Sequence, residues 1–399
     1  MEKIEVTAKT FEADSARKAI RTNRLASAIM AASKHSARFT DVLIHEGEPV
    51  MVKSVTGLEP LTNFGVEESF VVERDDIKVF ITGFSGIKVS SKQADEQAID
   101  DYWNTEIEPD LKRIGSVDRT IKTPSGAFIR CSLFYFAEGM VSIVARITTA
   151  PRSLDTIGLP PDIVNRIKDG QKGILILTGP TACGKSSSAY SILDYFNRNV
   201  AGHITTIEQP IEYMMKSDKC RVTQRSVGRD LSNFSRGLET ALRHSPDAIL
   251  VGEVRDTETT ETAILAGESG ALVIITTHGR DISGALRKLC SMVSGSNSNA
   301  MLAVLAGSLI GVVRQSLIPY ADGSGYTVVC DSIGSSPKVR NMIERSAWDE
   351  LNTLQAGLRS MDHTSMNAQL IQLVKDKRVS KEDALARTSY RHGLLEAMR

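Results

Sequence analysis

The segment Gly179-Pro180-Thr181-Ala182-Cys183-Gly184-Lys185-Ser186 fills every position of the phosphate-loop pattern G-x-x-x-x-G-K-[ST], and it narrows the fold more than any other part of the chain. Such a loop works only where a buried strand runs into it and a helix leaves it. Both flanks comply: Gly173-Ile174-Leu175-Ile176-Leu177-Thr178 has the length and branching of a buried strand, and Ser187 to Tyr195 reads as a helix. Gly179 and Gly184 let the backbone curl so that N–H groups line a concavity, and the helix N-terminus adds partial positive charge. Lys185 is placed to reach the outer phosphates and the Ser186 hydroxyl to ligate Mg²⁺. Residues 179–187 are therefore expected to bind ATP with Mg²⁺.

The surrounding pattern is that of an α/β protein. From about residue 160, apolar runs at 173–178, 203–208, 248–252 and 271–277 alternate with helical stretches, which predicts a parallel sheet. Beyond about residue 285 the chain reads as mainly helical, with one late strand at 325–330. Residues 1–147 read as a separate mixed α and β domain. There a polar helix, Asp14–Ser36, precedes strands at 40–45, 50–52, 87–90, 127–132 and 140–146. The turn Ala137-Glu138-Gly139 joins the last two, and the breakers of 148–159 mark a linker.

Composition excludes several classes. Lys+Arg and Asp+Glu both number 48, so the chain lacks the basic excess that nucleic-acid coating demands, and no direct nucleic-acid partner is expected. No apolar run is long enough to span a membrane, and the N-terminus lacks a signal-peptide core, so any membrane contact is peripheral and through partners. The five cysteines are scattered without a C-x-x-C pair, which fits reduced cytoplasmic thiols rather than a structural zinc.

Further chemistry lies downstream of the loop. His203 to Tyr213 is a strand ending in acids, and in an open α/β sheet ligands sit beyond the carboxyl ends of strands, so Glu208 and Glu212 point towards the nucleotide. Asp247 to Asp256 has the Walker B layout, an apolar strand ending in an acid, Glu253, suited to the Mg²⁺ shell. Ala271 to Gly279 is another buried strand, ending in His278. Arg225 and Arg243 flank the segment between the acidic strands, and Arg130 and Arg146 lie on the two arms of the N-terminal hairpin. Taken alone, such acids, histidine and arginines also occur as solvated or structural groups.

Together these segments resemble the secretion and type IV pilus motor ATPase family, most closely its pilus-retraction and Dot/Icm-type (type IVB) branches with their conjugation relatives. The resemblance rests on four boxes in order: the Walker A loop 179–186, the acidic box 204–213, the Walker B segment 247–256 and the His box 267–278. It implies a homohexameric ring of subunits, each with a PAS-like N-terminal domain and a RecA-like ATPase domain over 160–399. The ring would act at the cytoplasmic face of the inner membrane on platform or secretion-machine proteins. By position Glu212 resembles the family's catalytic glutamate, Glu253 its Walker B glutamate and His278 its second His-box histidine. The resemblance also implies that Arg130, Arg146, Arg225 and Arg243 approach nucleotide, some from a neighbouring subunit. The chain departs at Ala182-Cys183, where Gly-Ser is usual, at Gln209, where Asp is usual, and at Ala271, where the first histidine of the His box stands. Cys183 reads either as a site of thiol oxidation or as a small packing residue. A DNA-dependent motor of the same fold, or a nucleotide-gated scaffold with vestigial hydrolysis, are the alternative readings.

Overall fold

Two hydrophobic patterns, alternating early in the chain and continuous later, build two separate sheets. In the computed structural model the described residues are 24–32, 34–35, 39–54, 57–82, 92–122, 128–148, 150–293, 298–356, 363–388 and 391–397. They fall into two units, Met1–Thr149 and Ala150–Arg399.

The first unit contains β1 (Phe39–His45), β2 (Met51–Ser54), β3 (Leu58–Pro60), β4 (Ser116–Lys122), β5 (Phe128–Phe136) and β6 (Met140–Thr148) in the order β3-β2-β1-β6-β5-β4. All neighbours are antiparallel. Val42, Ile44, Leu133 and Ile143 turn inward and meet Ile29, Ile77, Trp103 and Ile107 from the helical segments. Burying each such side chain contributes about 1.5–3 kcal/mol. Glu138 takes φ +60 in the tight turn between β5 and β6. Of the expected helix Asp14–Ser36, residues 24–32 are helical, and the expected strand 87–90 lies outside the described residues.

The second unit is built on β7 (Gly173–Thr178), β8 (His203–Glu208), β9 (Arg221–Ser226), β10 (Ala248–Val251), β11 (Leu272–Thr276), β12 (Leu309–Pro319), β13 (Tyr326–Gly334) and β14 (His363–Thr364), ordered β14-β13-β12-β7-β11-β10-β8-β9. From β12 to β9 every neighbouring pair is parallel, and β13 and β14 add antiparallel strands at one edge. Both faces of β7 are covered, which is why it reads as an unbroken apolar run. Leu175 and Leu177 pack towards the helices Pro161–Lys168 and Lys185–Asn199. Ile174 and Ile176 pack towards Phe234–Leu242, Thr257–Ala266, Ile282–Ser291 and Ser298–Ser308. Asn233, Asp256 and Asp281 cap three of those helices through their side chains.

Beyond residue 285 helices predominate among the described residues, as expected, and the late strand is present as β13, but β12 was not expected. β12 and β13 form a long hairpin, and β12 lies against β7 itself. Helix Ser298–Ser308 runs into β12 with no turn residue between them, and β12 is buried on both faces, so neither punctuation nor alternation marks the change. The polar edge strand β9 also carried no hydrophobic signal.

Candidate nucleotide site

All the parallel strands end on the same side of the sheet, and the phosphate loop leaves β7 there. Gly179 takes φ +137, and a Cβ on it would lie 2.4 Å from the Gln315 carbonyl oxygen of β12 and 2.9 Å from Cys183 Sγ. Only glycine fits that approach. Gly184, φ +94, then turns the chain into the helix Lys185–Asn199. Ala182 holds φ +61 although it carries a Cβ, a conformation that costs an L-residue about 1–2 kcal/mol. Left-handed residues interrupting a right-handed backbone make an anion-binding nest. Pro180, Thr181 and Ser187 are exposed around it, Ser186 is half-buried, and the first helical turn carries no acid.

The charged groups converge on the carbonyl oxygen of Gly179. Lys185 Nζ donates to that oxygen and to Pro180 O, each at 2.9 Å. His278 Nδ1 approaches the same oxygen at 3.3 Å, and its Nε2 lies 3.4 Å from Glu253 Oε1. Burial lowers the Lys185 ammonium from its ordinary value, against the pull of Cys183, Glu253 and Glu212. His278 is likewise lowered by burial and by Lys185, with Glu253 opposing. A neutral ring donates to only one of its two acceptors, whereas a protonated ring bridges both. Burial works against the charge on Glu253, but the hydrogen bond and charge of Arg255, with His278 and Lys185, hold its carboxyl below the ordinary range.

Glu212 is half-buried on the loop after β8 and acts electrostatically on Lys185 and Glu208. Glu208 is 5% exposed and accepts hydrogen bonds from Thr206 Oγ1 and the Tyr190 hydroxyl. Tyr190 and Thr206 went unremarked in the sequence. Their signals were a tyrosine among the small residues that open the helix behind the loop, and the two-residue spacing that puts Thr206 on the face of Glu208.

Asp256, at the end of the Walker B segment, caps the helix Thr257–Ala266, accepting from Thr259 N at 2.8 Å. Other expected site residues lie elsewhere. Arg243 follows the helix Phe234–Leu242 and precedes β10, placing it at the opposite end of the sheet from the phosphate loop, about 15 Å away along the strands. Arg225 lies near the carboxyl end of β9, four strands from β7 and hence about 19 Å across the sheet. Neither arginine reaches the loop of its own unit. In the first unit Arg130 and Arg146 are cross-strand partners, and Arg146 pairs with Asp41 at 2.6 Å. Cys183 is 2% exposed and burial pushes its thiol up, which fits the packing reading rather than a reactive thiol. Ala271 is buried at the head of β11, a full strand from His278, and Gln209 points to solvent, so both departures spare the cluster around Gly179.

Comparison with known proteins shows what the chain as a whole is similar to. The family described as Type II/IV secretion system protein matches residues 135–389. The type IV pilus retraction ATPase PilT of Pseudomonas aeruginosa is 31% identical over 285 residues, 71% of this chain and 82% of PilT. The type IV pilus ATPase PilU of the same organism is 32% identical over 257 residues, 64% of this chain and 67% of PilU. Among solved structures, the crystal structure of the pilus retraction motor PilT with bound ADP superposes with a TM-score of 0.71 at 28% identity, covering 92% of this chain and 96% of that one.

Proposed function

The chain belongs to the Type II/IV secretion system protein family, and on that premise we propose that it is an ATP-hydrolysing ring motor, a homohexamer driving a type IV pilus or type IV secretion machine from the cytoplasmic face of the inner membrane. The observation that carries the reading is the convergence of Lys185, His278 and, through His278, Glu253 on Gly179 at the mouth of an anion-binding nest.

The residues present fit a magnesium nucleotide. The nest and the acid-free helix start suit phosphate oxygens. Ser186 and an ionised Glu253 suit Mg²⁺, which takes one or two protein oxygens and completes its shell with water and phosphate. Held by Ser186 and Glu253, Mg²⁺ would supply neutralisation of charge on the outer phosphates. Lys185 and the loop amides offset negative charge as the terminal phosphoryl group transfers to water. Glu212 orients that water and takes its proton. His278 senses the same site through its two acceptors. The first unit fits a PAS-like domain, and Arg130, Arg146, Arg225 and Arg243 fit contributions to a neighbouring subunit's site in the ring. No helix among the described residues is long and apolar enough to cross a membrane, so docking on inner-membrane proteins is the means of attachment in this reading.

Phosphate release from ATP by the purified chain tests the proposal. The wild type turns over as a six-chain species, and Lys185→Ala loses on the order of a hundredfold or more in rate. Equal rates for the two proteins would reject it.

A further inference from the structure

The loop that carries Glu212 is tied down by two side chains, and both are anchored on one buried carboxylate. The Tyr190 hydroxyl, from the phosphate-loop helix, accepts the Tyr213 N–H at 3.2 Å and donates to Glu208 Oε2. Gln224, on β9, accepts the Met215 N–H at 2.7 Å and donates to Tyr213 O at 2.9 Å and to Glu208 Oε1 at 3.5 Å. Thr206 donates to Oε1 as well, at 2.7 Å. The backbone on the C-terminal side of Glu212 is therefore held by Tyr190 and Gln224, and Tyr190, Gln224 and Thr206 each donate to the Glu208 carboxylate. The Tyr190 and Tyr213 rings also meet edge to face at 5.6 Å. Room for the carboxylate comes from Gly252, where a Cβ would sit 3.1 Å from Glu208 Cα and 3.4 Å from its Cγ.

We propose that Glu208 is a positioning residue: its carboxylate orders Tyr190 and Gln224, and through them the loop that presents Glu212 to the attacking water. The proposal rests on the hydrolytic reading above. A carboxylate accepts all three donors, whereas a carboxylic acid carries a proton on one oxygen and breaks the chain there. Thr206, Tyr190 and Gln224 face Glu208 as neutral donors, and Glu212 faces it as the nearest charge. Among the described residues no cation pairs with it. Burial raises its carboxyl to about 7, against the hydrogen bonds of Thr206 and Tyr190 and with Glu212 adding to the rise. Tyr190 itself is pushed well above its ordinary range by burial and by Glu208, so it stays protonated throughout. Glu208 thus loses its proton as pH rises through neutrality, and the Glu212 loop tightens with it.

The test uses the full chain as wild type, Glu208→Gln and Tyr190→Phe, with three readouts: affinity for ATP, phosphate release against pH, and hydrogen exchange at the Tyr213 and Met215 amides. ATP affinity stays within about twofold, because none of the changes touches the phosphate nest. Phosphate release falls on the order of tenfold in both variants at pH above neutrality. The wild-type rate rises through about pH 7, the same limb is absent from Glu208→Gln, and in Tyr190→Phe it moves to higher pH because a donor to the carboxylate has gone. Both amides exchange faster in both variants. An unchanged pH limb in Glu208→Gln, or wild-type exchange at both amides, overturns the proposal. If the wild type binds ATP without hydrolysing it, the activity is refuted, and amide exchange in Glu208→Gln still decides the role of Glu208.

Discussion

Two acids end neighbouring parallel strands, Glu208 on β8 and Glu253 just beyond β10, and they live in opposite electrostatic worlds. Glu253 is partly open, faces Arg255, His278 and Lys185, and is held ionised. Glu208 is closed in, faces neutral donors and another acid with no paired cation among the described residues, and is raised to about 7. An acid among cations keeps a permanent charge and suits a phosphate or metal environment. An acid among hydroxyls and amides keeps a proton within reach of neutrality and suits the ordering of a loop. Position at a strand end does not separate these roles; the partners do.

The contrast can be broken in order of expected effect. Glu253→Gln is the largest: phosphate release falls on the order of a hundredfold to a thousandfold. The change also removes the charge that raises His278, so the imidazole titrates at still lower pH, read by its NMR signals. A His278 titration that does not move would show that the two groups are uncoupled.

Stability against pH sharpens the comparison with two opposite signs. Glu208 is raised from 4.5 to about 7, so between those values the folded chain holds a proton that the unfolded chain has released. The stability it contributes is full below 4.5 and is lost as pH rises through about 7. Glu253 is lowered instead, so its contribution is present above its ordinary value and is lost on acidification. Melting curves of Glu208→Gln should therefore lose the part of the decline between weakly acidic and neutral pH, and those of Glu253→Gln the part on the acid side. The same slope change in both variants would contradict the contrast.

The smallest effect is at Cys183. Its thiol is buried and raised, so Cys183→Ser and the wild type lose activity equally under mild peroxide, and their rates differ by no more than about threefold. Selective protection by the serine would restore the redox reading.

Much of this was legible in the chain itself, for a physical reason. β7, β10 and β11 are buried on both faces, so their sequences are continuous apolar runs, and the phosphate loop declares its own flanks. Glu253 and His278 were visible because an acid or a histidine directly after such a run has few places to go. β12 was hidden because a buried helix feeds it without a break, and β9 because an edge strand needs no apolar pattern. The Tyr190–Glu208–Gln224 network was hidden more deeply. Its members come from a helix and two strands, and only the fold brings them together. Arg243, linked to nucleotide only through the family resemblance, lies at the far end of the sheet, since linear proximity to β10 says nothing about which end is reached.

The central claim is that Glu212 serves chemistry rather than binding, and a single-turnover experiment with ATP and Mg²⁺ tests it most directly. Mixed with ATP below the enzyme concentration, the wild type should convert the bound nucleotide to ADP, while Glu212→Gln should bind ATP with similar affinity and retain it unhydrolysed, with conversion slowed on the order of a hundredfold or more. Conversion at the wild-type rate by Glu212→Gln would contradict the account.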